Sequence, residues 1–113
     1  GSEMCIRDRI YLLNTDWASD QDQRPATFIY KGKKFPVVVR RYHIETIHCA
    51  DGLAVMPASN TTDILSVCKR ENGWVIKVQT TGNDVVQCMN AVTGKVEPIK
   101  FDEPGVHEVF VNE

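Results

Sequence analysis

The stretch Thr62-Asp63-Ile64-Leu65-Ser66-Val67-Cys68-Lys69-Arg70-Glu71-Asn72-Gly73-Trp74-Val75-Ile76-Lys77-Val78-Gln79-Thr80-Thr81 decides the fold class. Two runs rich in β-branched residues flank Asn72-Gly73, a pair that tolerates the positive φ of a type I′ turn. Apolar residues recur at alternate positions, the period of a strand with one face in a core. With Asn72-Gly73 as the loop, Lys69 opposes Ile76 and Val67 opposes Val78. Leu65, Val67, Ile76 and Val78 then share one apolar face with Trp74.

The same grammar extends in both directions. Toward the C-terminus, Gly82-Asn83-Asp84 reads as a three-residue loop that sets Val78 against Cys88, Thr93-Gly94 leads into a strand over 96–101, and Pro104-Gly105 leads into one over 106–111. Toward the N-terminus, Pro57 ends a strand over 53–56, and Asp51-Gly52 joins it to one over 43–49. Runs over 26–31 and 34–40 meet at Gly32-Lys33, which places Tyr30 opposite Phe35 and Phe28 opposite Val37. The reverse face of that hairpin, Ile29 with Pro36 and Val38, is also apolar, so the hairpin is expected to be buried on both sides. Residues 10–13 read as a first strand, and 15–25 as a long polar loop. The sum is an all-β antiparallel sandwich, immunoglobulin-like or jelly-roll-like, of nine or ten short strands, with any helix limited to a single turn near 58–61.

At 113 residues the chain fits one domain, and 42% hydrophobic with 25% charged residues is the balance of a globular protein, not a disordered one. A formal net charge of −2 supplies no basic field for phosphates, which argues against a nucleic-acid partner. The longest apolar run, Phe35-Pro36-Val37-Val38-Val39, falls far short of the roughly 18 residues of a spanning helix, so no membrane partner is expected.

No constellation for catalysis stands out, and the expectation is a non-enzyme. His43, His48, Cys49 and His107 are the soft metal-ligand candidates, but alternation along a strand sends His43 and His48, and likewise His48 and Cys49, to opposite faces. Asp16, Asp20 and Asp22 gather oxygen ligands without the spacing of a calcium loop or its terminal Glu. Glu45, Asp51, Glu97 and Glu108 lie on different strands, and nothing selects two of them as an acid and base pair. No metal and no cofactor is therefore expected. Asn60-Thr61-Thr62 matches the N-glycosylation triplet, which matters only in a eukaryotic secretory setting. Cys49, Cys68 and Cys88 lack metal spacing and do not suggest a disulfide framework. Cys68 and Cys88 are expected not to pair, since the first points away from the core and the second into it.

The aromatic residues Trp17, Tyr42 and Trp74 remain as carbohydrate-binding candidates, because sugars stack their weakly polar ring faces on flat aromatics. Trp17 sits in the polar loop and Tyr42 at a strand boundary. Trp74 shares the apolar face, where a core role is the competing reading.

The opening Ile10-Tyr11-Leu12-Leu13-Asn14-Thr15-Asp16-Trp17 and the ending Val92-Thr93-Gly94-Lys95 through Gly105-Val106-His107-Glu108-Val109 resemble the C-terminal β-sandwich accessory domains of multidomain bacterial glycoside hydrolases. The resemblance covers the two ends and the strand rhythm between them. It implies a non-catalytic domain that supports the catalytic domain of its parent protein or binds a neutral glycan, in an extracellular or periplasmic setting. The alternative is an immunoglobulin-like structural or interaction module of a bacterial surface protein. Gly1-Ser2 has the look of a tag scar, and Met4-Cys5-Ile6-Arg7-Asp8-Arg9 resembles the translated end of a transposon used to prepare sequencing libraries. The expected division is thus an artefactual 1–9, adding nothing to function, and a single sandwich domain over 10–113 cut from a longer metagenomic reading frame.

Overall fold

The alternating apolar pattern gives strands throughout. In a computed structural model that describes residues 8–13, 23–40, 44–58 and 61–113, with side chains over 25–38, 46–58 and 61–113, the described residues contain ten strands and no helix. They are β1 (Asp8–Leu13), β2 (Gln23–Tyr30), β3 (Lys33–Arg40), β4 (Ile44–Ala50), β5 (Leu53–Pro57), β6 (Asp63–Arg70), β7 (Gly73–Thr81), β8 (Asp84–Asn90), β9 (Val96–Phe101) and β10 (Pro104–Asn112). All pairings are antiparallel, in a five-stranded sheet β1-β4-β5-β8-β9, a three-stranded sheet β10-β7-β6 and the hairpin β2-β3. The all-β, sandwich-like expectation holds. Strand β1 begins at Asp8 and pairs with β4, and β2 begins at Gln23, inside the stretch read as loop.

Apolar residues on both faces of the five-stranded sheet create two cores. On the inner face, Leu53, Val55, Val86 and Cys88 meet Val67, Trp74, Ile76 and Val78 of the three-stranded sheet. On the outer face, Ile47, Cys49, Ala54, Met56 and Met89 meet Phe35 and Val37 of the hairpin. The central strand β5 is consequently buried along almost its whole length. The hairpin itself is buried on one side only, against expectation: Phe35 is fully buried, whereas Ile29 is 56% and Val38 44% exposed. A two-stranded layer at the surface has one sheet to pack on and presents its other face outward.

Two registers differ from the sequence reading by one turn position. Arg70 opposes Gly73, Lys69 opposes Trp74 and Val67 opposes Ile76, so Glu71 and Asn72 make the turn. Gly73 lies inside β7 with no positive φ, and its requirement is steric: a Cβ there would overlap the carbonyl oxygen of Val111 on β10. Likewise Phe28 opposes Phe35 and Ala26 opposes Val37, across a turn at Lys31 (φ 50°) and Gly32 (φ 77°). A shift of two in paired positions preserves the faces, which is why the core assignments survive. Leu65 is the exception. The register shifts between Ile64 and Ser66, the extra residue reverses the alternation, and Ile64 takes the buried place while Leu65 is 41% exposed.

The third difference is topological. β7 and β8 belong to different sheets, so Val78 does not pair with Cys88; Gly82-Asn83 carries the chain from one layer to the next. The turn at Asp51 (φ 38°) and Gly52 (φ 103°) ties the layers together. Trp74 Nε1 donates to the Asp51 carbonyl at 3.3 Å from the inner side, and the Gly52 amide donates to Tyr30 Oη at 3.1 Å on the hairpin side.

Candidate functional site

β9 and β10 are the last strands of their sheets on the same side of the sandwich. Their connection is closed at one end. Phe101 is buried with its ring 5.4 Å from that of His107, Thr80 Oγ1 donates to the Glu103 carbonyl at 2.6 Å, and His107 Nε2 lies 2.8 Å from the same oxygen. Away from this corner the two edges leave a cleft of about 420 Å³. Leu53, Ile99, Val109 and Val111 give it an apolar wall and Cys88 sits among them. Asn90, Thr93, Lys95 and Glu97 supply polar groups from the five-stranded sheet, with Asn112 and Glu113 facing them at the end of β10.

The charges at this cleft are matched within the protein. Lys95 Nζ lies 2.5 Å from Glu97 Oε1, and Lys69 Nζ lies 3.1 Å from Glu113 Oε2. Asn90 uses Oδ1 to accept from the amides of Val92 (2.8 Å) and Thr93 (3.4 Å), which fixes the side chain and leaves its amide nitrogen as the remaining polar group. Burial, with the Glu97 carboxylate adding to it, pushes the Cys88 thiol up to about 12, so it is a neutral thiol at ordinary pH and no nucleophile. The cleft can therefore do binding chemistry: an apolar wall, fixed hydrogen-bonding groups and no net charge among the two ion pairs.

A second polar cluster lies at the β7 to β8 crossing. Asp84, 1% exposed, accepts from Thr62 Oγ1 (2.6 Å), Thr61 Oγ1 (3.1 Å) and the amides of Thr81, Gly82 and Asn83 (3.1, 3.0 and 2.9 Å). The Thr62 hydroxyl foremost, with the backbone amides and Thr61, holds the carboxyl well below the usual carboxylate range against the opposing effect of burial. Its oxygens are occupied by the protein, so this is a structural knot joining the start of β6 to the crossing. In sequence Asp84 reads as part of the Gly82-Asn83-Asp84 turn, and nothing local marks its bonds to Thr61 and Thr62.

Among the described residues, those singled out from sequence do not come together. Trp17 and Tyr42 lie outside the described residues, as do Asp16, Asp20, Asp22, His43 and Asn60. Trp74 is removed from the carbohydrate-binding candidates: it is fully buried, its indole nitrogen is spent on Asp51, and the Lys69 ammonium sits 4.7 Å from its ring centre. Its face belongs to the core. Cys49 joins the outer core, whereas His48 opposes Val55 of the inner core, and among the described residues no three metal-ligating side chains converge. Of the four acids singled out, Glu97 lies at the cleft, Glu108 and Asp51 are exposed elsewhere, and the Glu45 side chain lies outside those described. Thr61 and Thr62 serve Asp84. Neither Cys49 nor Cys88 is in a disulfide, so Cys88 does not pair with Cys68, as expected; Cys68 is nevertheless disulfide-bonded, which the sequence reading did not anticipate.

On the outer side, where the hairpin stops, a groove of about 310 Å³ runs between β3 and the uncovered part of β5, β8 and β9. Val38, Met56, Pro57 and Val96 make it apolar, with Gln87 its main polar side chain. No family model matches the chain, and no curated protein or solved structure matches it significantly.

Proposed function

We propose that this domain is a non-catalytic accessory module of a carbohydrate-active enzyme and that it binds a neutral glycan in the cleft between β9 and β10. The observation that carries the reading is the composition of that cleft: an apolar wall of Ile99, Val109 and Val111 beside Asn90, Thr93 and two internally neutralised ion pairs. A sugar presents weakly apolar ring faces and uncharged hydroxyls, so it gains from both surfaces and has no charge to leave unpaired. A phosphorylated or sulfated ligand would have to break an existing pair to find a cation. Affinities in the range of tens of micromolar to millimolar, about −4 to −6 kcal/mol, suit an open site of this size.

Affinity electrophoresis against soluble neutral polysaccharides tests the reading. The double variant Lys95→Ala/Glu97→Ala keeps the net charge and removes the polar rim, and it is expected to lose retardation by about tenfold or more. Trp17→Ala and Tyr42→Ala should retain it. Loss confined to those two would place the glycan on the aromatic residues instead, and no retardation on any polysaccharide defeats glycan binding. The outer apolar groove favours the second reading, a structural module that packs against the rest of its parent protein. Recovery of the upstream reading frame separates the two, a glycosidase domain supporting the first and tandem sandwiches the second.

A further inference from the structure

An unpaired strand edge invites another strand, and proteins usually blunt such edges with proline, charge or a bulge. Most outer strands here are blunted. β9 carries Pro98 and Lys100, β6 carries the irregularity at Leu65 together with Lys69 and Arg70, β3 has Pro36 behind Lys33 and Lys34, β2 has Pro25, and β1 starts Asp8-Arg9. β10 is different. It is nine residues long, its proline is its first residue, its single carboxylate is Glu108, and it pairs with β7 in an unbroken register. Among the described residues no strand pairs with its other edge, and Val106 (55%) and Phe110 (48%) stand exposed along it.

We propose that the free edge of β10 pairs antiparallel with the same edge of a second copy of this chain, with the two-fold axis at Phe110. Self-pairing is favoured because this strand complements itself in one register and not in its neighbours. With Phe110 on the axis, Phe110 meets Phe110, Val109 meets Val111, Glu108 meets Asn112 and His107 meets Glu113. Apolar opposes apolar, and polar opposes polar, on both faces. Moving the axis to Val109 sets Phe110 against Glu108 and Val111 against His107. At Glu108 it brings two carboxylates face to face, a destabilising pair. The chosen register extends the three-stranded sheet into a six-stranded one across an isologous interface, which closes and does not propagate. It also brings the two β9–β10 clefts beside each other, since Val109, Phe110, Val111, Asn112 and Glu113 line the cleft as well as the seam, and sedimentation without glycan reads the pairing alone.

Sedimentation velocity on the full chain reads the outcome. The expected result is a species of twice 12.8 kDa at protein concentrations on the order of 100 µM. Asn112→Glu, which opposes Glu108 with a second carboxylate on an exposed position, should weaken the dimer about tenfold or more. Adding Glu108→Lys should restore it. Phe110→Lys, which sets two ammonium groups on the axis, should also give monomer, and circular dichroism must show each variant still folded. Monomer for the unaltered chain at this concentration overturns the proposal, as does a dimer indifferent to Asn112→Glu and Phe110→Lys. Loss in Asn112→Glu without rescue overturns the register.

Discussion

The two faces of the five-stranded sheet are covered by unequal partners. The inner face meets three strands and is sealed by Val67, Trp74, Ile76 and Val78, each without exposed surface. The outer face meets two strands, which bury Phe35 and Val37 but leave Phe28 and Tyr30 half-exposed and a groove where the cover ends. A sheet that is apolar on both sides therefore has one closed core and one partly open one. The closed side is expected to contribute more to the stability of the domain, while the openings are at the margins, beside β9 and β10 on one side and beside β3 on the other.

The largest effect expected from this contrast is at Trp74. Trp74→Ala removes the largest buried side chain among the described residues, opens the inner core and deletes the hydrogen bond to Asp51, for a loss of about 3–5 kcal/mol in denaturant unfolding. Phe35→Ala removes a comparably buried ring from the outer core, but a two-stranded layer can settle into the space, so about 2–3 kcal/mol is expected. Hydrogen exchange should distinguish the two further. The first variant lowers protection everywhere, and the second lowers it first in β2 and β3. Equal costs with uniform loss of protection would show that the hairpin is an integral layer and would erase the contrast.

What was legible in sequence follows the same division. Period-two alternation is a local property, so the strands and the buried faces of β6 and β7 could be read, including Val67, Ile76 and Val78. Turn centres depend on more than the local sequence. Lys31-Gly32 and Asp51-Gly52 use positive φ as turn chemistry requires, but the glycine of Asn72-Gly73 answers to the close approach of Val111, a strand almost forty residues away. The change of sheet between β7 and β8 was hidden for a related reason. A three-residue hairpin and a crossing between layers look alike locally, and only long-range contacts distinguish them: the pairing of β8 with β5 and β9, and the bonds of Asp84 to Thr61 and Thr62. The cleft was the least legible, because Asn90, Lys95 and Glu97 meet Val109 and Val111 through the pairing of whole sheets.

Asp84 provides a smaller and pH-dependent test of how the closed side is pinned. Its carboxyl is held below the usual range by Thr62, the amides of Thr81 and Gly82, and Thr61, so its stabilising contribution is complete above the ordinary carboxylate pKa of about 4. It shrinks as pH falls below that value and vanishes once the folded carboxyl itself is protonated. Asp84→Asn keeps the shape but loses the charge, and should lower Tm at neutral pH. The gap to the unaltered protein should narrow as the pH is taken down through the range from 4 to 2. A gap that is constant with pH would mean that the carboxylate is not what the hydroxyls and amides stabilise.

The smallest effect is expected on the outward face of the hairpin, and it sharpens the contrast because the residues involved are neighbours of the buried ones. Val38 follows Val37 and lies three positions from Phe35, yet it is 44% exposed, and Ile29 on the paired strand is 56% exposed. Ile29→Thr and Val38→Thr preserve β-branching, and so the strand propensity, while replacing a methyl-bearing carbon by a hydroxyl-bearing one. If these side chains face water, each change should stay within about 0.5 kcal/mol of neutral in denaturant unfolding, in contrast to Phe35→Ala on the same hairpin. A loss above about 1 kcal/mol that grows with protein concentration would mean that another copy covers this face, because only an associated state makes stability depend on concentration. A comparable loss that is independent of concentration would mean that the hairpin is buried on both sides within the chain, and the outer layer would then be as closed as the inner one.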